Sequence, residues 1–118
     1  MNREDARVPR AVARTLPQIH RAVRLLIASW QRGGRVFFLG AGTSGRLGVI
    51  EAAECPPTFN TPASRIQAII AGGRRAVFRS REGAEDARRS ARAQIAGRVR
   101  AGDVVVGIAA SGITPFVD

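Results

Sequence analysis

Between residues 17 and 32 the apolar positions Ile19, Ala22, Val23, Leu26, Ile27 and Trp30 recur at spacings of three and four, which puts them on one stripe and predicts an amphipathic helix. Pro17 suits the first turn of that helix, and Gly33-Gly34 suits its end. The period then changes. RVFFL, residues 35–39, is short, apolar and β-prone, as a parallel strand covered on both faces should be. A helix is expected to start near Ser44 or Gly45, to run through LGVIEAAE and to stop at Pro56-Pro57. IQAIIA, residues 66–71, reads as a second strand closed by Gly72-Gly73. After a short segment with Ala76, Val77 and Phe78, a polar, arginine-rich helix is predicted from about 84 to 99. DVVVGIA, residues 103–109, is the third strand and leads directly into SGITP.

Helix, strand, helix, strand, helix, strand is the order of an open parallel α/β sheet, and 118 residues leave room for one domain with one core. In such sheets ligands gather at the carboxyl ends of the strands, so GAGTSG and SGITP should share one edge. The chain stops at Asp118, where the helix after the third strand is expected to begin. The sequence therefore reads as an incomplete domain, or as one that leans on a partner to cover its sheet.

A formal charge of +10 raises the question of nucleic acid. All 19 basic residues are arginine, scattered without a basic block, and only 5% of residues are aromatic. Neither a basic arm nor a base-stacking platform is expected, and the excess reads as solvated helix faces. The single Cys55 and single His20 build neither a disulfide nor a zinc site, and His20 has no acidic neighbour in its turn. The N-terminus is too polar for a signal peptide, and no apolar run reaches the ~20 residues of a membrane span. A soluble protein of a reducing cytoplasm is expected, with no metal, no membrane and no nucleic acid.

Candidate chemistry starts at FFLGAGTSGRLGV. A glycine turn between strand and helix lets backbone N–H groups approach an anion, and the helix N-terminus adds about half a positive charge. Gly40, Gly42 and Gly45 satisfy G-x-G-x-x-G, but a dinucleotide site also wants an acidic residue after the second strand, where this chain has AGGRR. Arg74 or Arg75 would suit an NADP 2′-phosphate, which keeps a dinucleotide domain as a minor alternative. A Walker loop would need Lys and then Ser or Thr where Arg46 and Leu47 stand, and a nucleophile elbow would need glycine at 46. Ser44 reads as a ligand-binding hydroxyl. Two carboxylates complete the inventory. Glu54 stands just before the prolines and Glu85 lies in REGAED. Each also has a plain helix-end reading, but two carboxylates in one pocket can divide acid and base roles.

GAGTSGRLGV, AAECPPTF, IIAGG, EGAED and DVVVGIAASG, in this order, resemble the N-acetylmuramic acid 6-phosphate etherases, whose catalytic domain is a sugar-isomerase (SIS) domain. The resemblance covers residues 4–118, and EDARVPRAVARTLPQI looks like the family's helical lead-in. It implies an open parallel SIS-type sheet, with residues 1–32 as lead-in and 33–118 as a partial SIS domain. It also implies a phosphosugar ligand, no cofactor and a homodimer in the full-length family. By the resemblance, Gly42, Thr43, Ser44 and Gly45 contact the ligand, and Ser111 and Thr114 assist. Glu54 takes the general-acid position toward the lactyl ether oxygen, and Glu85 the position of the base for the sugar C2 proton. The implied activity is that of a carbon–oxygen lyase of amino-sugar catabolism and peptidoglycan recycling. It releases D-lactate and forms N-acetylglucosamine 6-phosphate. The related glucokinase regulatory proteins share much of this vocabulary and bind phosphosugars without catalysis, which is the alternative reading. Two departures stand out: SGITPF replaces the family's SGRTPY, so Ile113 takes a basic position, and the family's second half is not in this chain.

Overall fold

In a computed structural model, residues 2–118 are described. A one-turn helix, α1 (Asn2–Asp5), precedes the long helix α2 (Val8–Gln31), strand β1 (Val36–Gly40) and helix α3 (Gly42–Phe59). Strand β2 (Ile66–Ile70), the one-turn helix α4 (Arg75–Phe78), a 3₁₀ turn (Ala84–Asp86), α5 (Arg88–Arg98) and β3 (Val104–Ile108) complete the chain.

The elements stand where the hydrophobic pattern puts them, but the bounds of three helices differ for physical reasons. Helix α2 starts at Val8 rather than near Pro17, because Val8, Val12 and Leu16 extend the same stripe and Pro9 takes the first-turn role. Pro17 is interior and removes only one N–H from the ladder. Helix α3 starts at Gly42 and runs through Pro56 and Pro57 to a left-handed Asn60 cap (φ 52°). The pair forfeits two backbone donors without ending the helix, since a proline's fixed φ is itself helical. The polar helix expected from 84 to 99 divides at Ala87 into the 3₁₀ turn and α5, and it follows the left-handed Gly83 (φ 74°).

All three strands are parallel, in the order β2–β1–β3, with Val36 in register with Ile66 and Val104, and Gly40 with Ile70 and Ile108. The carboxyl ends are therefore level, which brings GAGTSG, AGG and AASG to one edge. One side of β1 carries Phe37 and Leu39 into the core with Ile69, Ala71, Ala91 and Phe116. On the other side α3 lies so close that a Cβ at Gly48 would stand 2.6 Å from Phe38 Cβ.

Helix α2 is anchored at its C-terminal end. The buried Ser29 hydroxyl donates to the Gly102 carbonyl at 2.6 Å, and Arg65 donates to the carbonyls of Trp30 and Gly34 while stacking on the Trp30 ring at 4.1 Å. Much of its apolar stripe, including Val12, Leu16, Ile19 and Val23, faces solvent. Strand β3 is half-covered, with Val105 and Gly107 exposed. Among the described residues, no helix is long and apolar enough to cross a membrane.

Candidate functional site

The turn after β1 owes its glycines mainly to close packing. A Cβ at Gly40 would lie 2.7 Å from the Gly45 nitrogen, and one at Gly45 would lie 2.6 Å from both the Gly40 oxygen and Ile70 Cγ1. Gly45 thus lets the first turn of α3 rest on the ends of β1 and β2. Gly42 is different: its φ of 54° is left-handed, and nothing stands within 4 Å of where a Cβ would be. The turn is open above Gly42. Ala41 supplies no side-chain cap, and only from Gly45 onward does the helix ladder accept N–H groups, beginning with Gly45 N–H to the Ala41 carbonyl at 3.1 Å. The preceding donors and the positive end of α3 are therefore available to an anion.

A cavity of about 330 Å³ sits at this point. Ala41, Gly42 and Arg46 from the turn and α3 line one side, and Ala71 and Ala76 from the β2–α4 segment line the next. Ser80, Arg81, Glu82, Ala84 and Glu85 form the outer wall, and Thr114 closes it from the segment after β3. The two distant walls are joined by backbone: Phe116, whose ring is in the core, donates its N–H to the Glu85 carbonyl at 2.7 Å. Val117 and Asp118 N–H groups bond the Thr114 carbonyl, which shapes that end of the chain into a turn.

Gly42, Glu85 and Thr114 are thus brought together from three parts of the sequence. The other candidates stand elsewhere. Thr43 is exposed, Ser44 half-buried and Gly45 buried; none of the three lines the cavity. Ser111 is exposed, and its hydroxyl oxygen accepts the Ile113 N–H at 3.3 Å. Ile113 is 76% exposed. Glu54 is exposed twelve positions beyond Gly42 on the same helix, roughly 18 Å along its axis at ~1.5 Å per residue. It shares a face of α3 with Leu47 and Ile50, both more than half exposed. Within one chain, Glu54 and Glu85 do not share the cavity.

Arg46, Ser80, Arg81 and Glu82 line the cavity without having been singled out as ligands. Arg46 carried a signal, being adjacent to the glycine turn. Arg81 carried none, because one arginine among 19 is indistinguishable by composition. Among the described residues, no group of three or more His, Cys, Asp and Glu side chains gathers as a metal site.

Residues 18–118 match the glucokinase regulatory protein N-terminal SIS domain family. The chain is 57% identical over 116 residues to an N-acetylmuramic acid 6-phosphate etherase of Symbiobacterium thermophilum, covering 98% of this chain and 39% of the relative. It is 58% identical over 118 residues to one of Salinibacter ruber, covering 99% and 38%. It is 50% identical over 118 residues to one of Staphylococcus aureus, covering 99% and 40%. The chain spans about two-fifths of the length of the relatives it matches.

Proposed function

The chain belongs to the glucokinase regulatory protein N-terminal SIS domain family, and from that premise we propose that it is the phosphosugar-binding module of an N-acetylmuramic acid 6-phosphate etherase. The observation that carries the reading is the cavity at the carboxyl edge of the sheet, where the open Gly42 turn, Glu85 and Thr114 meet. The names of the relatives supply the substrate.

In this reading the turn from Gly42 to Gly45 cradles the phosphosugar. The N–H groups of Gly42, Thr43 and Ser44 and the hydroxyls of Thr43 and Ser44 bind it while Gly45 holds the turn close to the sheet, and Ser111 and Thr114 complete the ligand shell. In the open-chain sugar the C2 proton is α to the aldehyde, so the Glu85 carboxylate can remove it. The electron pair forms a C2–C3 double bond and expels lactate from C3, with a proton from Glu54 going to the departing ether oxygen. Water then adds at C3, the proton returns to C2, and N-acetylglucosamine 6-phosphate results. General acid–base groups contribute about 10²–10⁴-fold each, so both carboxylates matter.

Glu54 lies away from the Glu85 cavity of its own chain, so its acid role requires delivery by a second copy. A homodimer supplies a second α3, and the exposed Leu47 and Ile50 beside Glu54 give that helix an apolar face to bury. The reading therefore takes a phosphosugar and a second copy as its partners, with residues 1–32 as lead-in to a SIS unit at 33–118. It is placed in the cytoplasm, where the free, half-buried Cys55 stays reduced.

The separation of the two glutamates also favours a second reading, a phosphosugar-binding domain without turnover. A coupled dehydrogenase assay for D-lactate, run beside calorimetry with N-acetylmuramic acid 6-phosphate, separates the two. Lactate release is expected when the chain is supplied with the family's second half. Binding without release would support the second reading, and no binding would refute both.

A further inference from the structure

Arg46 comes directly after the last glycine of GAGTSG, yet its side chain is committed to a different part of the chain. Its Nε–H donates to the Val77 carbonyl at 2.8 Å, and its Nη2–H donates to the Ala76 carbonyl at 2.9 Å. These carbonyls belong to the end of α4, where a one-turn helix leaves its acceptors without intrahelical partners. A cation there also meets the negative end of the helix. The planar guanidinium can satisfy two neighbouring carbonyls at once, which a single ammonium on a flexible stem does less well.

The contact ties together two walls of one cavity. Arg46 and Gly42 come from α3, while Ala76 is 96% buried and lines the same cavity as Glu85. A Cβ at Gly72 would meet Ala76 Cβ at 3.1 Å, Arg81 Cδ at 3.1 Å and Ala84 Cβ at 3.5 Å. Gly72 therefore sits among Ala76, Arg81 and Ala84, which places α4 beside the segment that carries Glu85. The start of α3, by contrast, is held by Gly40, Gly45 and Ile70 against the sheet. Arg46 is the side chain that bonds the rigid turn to α4, which borders the segment carrying Glu85.

We propose that Arg46 is a positioning residue that sets the separation between the anion-binding turn and Glu85, and touches no reacting atom. This inference rests on the reading of the cavity as a phosphosugar site with Glu85 as base.

The test compares the protein with its Arg46→Gln and Arg46→Lys variants. Amide hydrogen exchange should rise on the order of tenfold across residues 76–87 in Arg46→Gln while residues 36–40 of the central strand keep their protection, with Arg46→Lys in between. At saturating N-acetylglucosamine 6-phosphate, solvent deuterium entry at C2 should fall by about 10–10²-fold in Arg46→Gln, as expected for a base displaced by about 1 Å. The dissociation constant should change less than about threefold, and Arg46→Lys should recover part of the rate. Unchanged protection over 76–87 overturns the proposal. So does a loss of affinity that exceeds the loss of exchange rate, because that would make Arg46 a ligand contact. If Arg46→Gln also loses protection over 36–40, it has unfolded, and Arg46→Lys decides by the same comparison. Absence of C2 exchange in the unaltered protein would refute the etherase reading, while the amide comparison still decides the tether.

Discussion

Arg35 and Asp103 form a closed ion pair at the amino ends of β1 and β3. The Arg35 backbone N–H and Nε–H donate to Asp103 Oδ1 at 2.8 and 3.2 Å, and Nη2–H donates to Oδ2 at 2.7 Å. The Arg100 N–H adds a fourth bond to Oδ2 at 2.8 Å. Only 5% of the Asp103 side chain is exposed. These bonds, the Arg35 side chain first, hold the Asp103 carboxyl at about 2 against an ordinary 3.8, and they outweigh the opposing effect of burial. The pair also raises the Arg35 guanidinium above its ordinary value.

A carboxyl whose folded value is depressed stabilises the fold above its unfolded value and loses that contribution as pH falls through the folded value. Acid unfolding should therefore show an inflection between about 3.8 and about 2. Asp103→Ala should remove it and lower stability by roughly 1–3 kcal/mol at neutral pH, since the bonded donors lose their partner. Urea titrations at stepped pH measure both. An inflection that persists in Asp103→Ala would assign the acid sensitivity to another group.

The glycines of GAGTSG should separate by mechanism. Gly45→Ala forces a Cβ into the Gly40 carbonyl and Ile70, and overpacking of this kind costs about 1–3 kcal/mol or more. Gly42→Ala meets no atom, and its cost is the left-handed φ, about 1–2 kcal/mol. Denaturant unfolding should rank Gly45→Ala as the more damaging, while Gly42→Ala should weaken phosphosugar binding more than it weakens the fold. The reverse ranking would mean that the helix start moves aside easily.

The two glutamates should fail differently. Glu85→Gln is expected to lose both lactate release and solvent deuterium entry at C2, each by about 10²-fold or more. Glu54→Gln should lose lactate release but keep C2 exchange, because removing the C2 proton needs no leaving-group acid. Co-refolding the two inactive variants should restore part of the lactate release, since one of the two sites in a mixed dimer would then have both native glutamates. No recovery from a demonstrated mixed dimer would mean that both glutamates act within one chain.

Ile113→Arg should strengthen phosphosugar binding. Position 113 is 76% exposed, so its side chain contributes little packing, and it follows Ser111 in the segment that leads to Thr114. A charge-assisted contact to a phosphate typically adds about 1.5–3 kcal/mol, or roughly tenfold or more in affinity. Calorimetry with N-acetylglucosamine 6-phosphate measures it, and unchanged affinity would place residue 113 away from the anion.

Local pattern was enough for the parallel α/β order, the three strands and the placing of both turns on one edge. Strand periodicity, glycine punctuation and the rule that ligands sit at carboxyl ends all act over short stretches, so RVFFL, IQAIIA and DVVVGIA were legible without the fold. The prolines were misread because Pro17 and Pro56-Pro57 act through single lost N–H groups, and packing and the continuing apolar stripe outweigh those losses. Gly40 and Gly45 looked like anion-loop glycines, yet their shared cause is the approach of α3 to β1 and β2, a distance no spacing reveals. Only tertiary structure brought Glu85, Gly42 and Thr114 around one cavity, carried Arg46 to the carbonyls of α4 and left Glu54 outside. Those relations join residues that are distant in the chain, and their distances depend on how the elements pack rather than on the local propensities written along them.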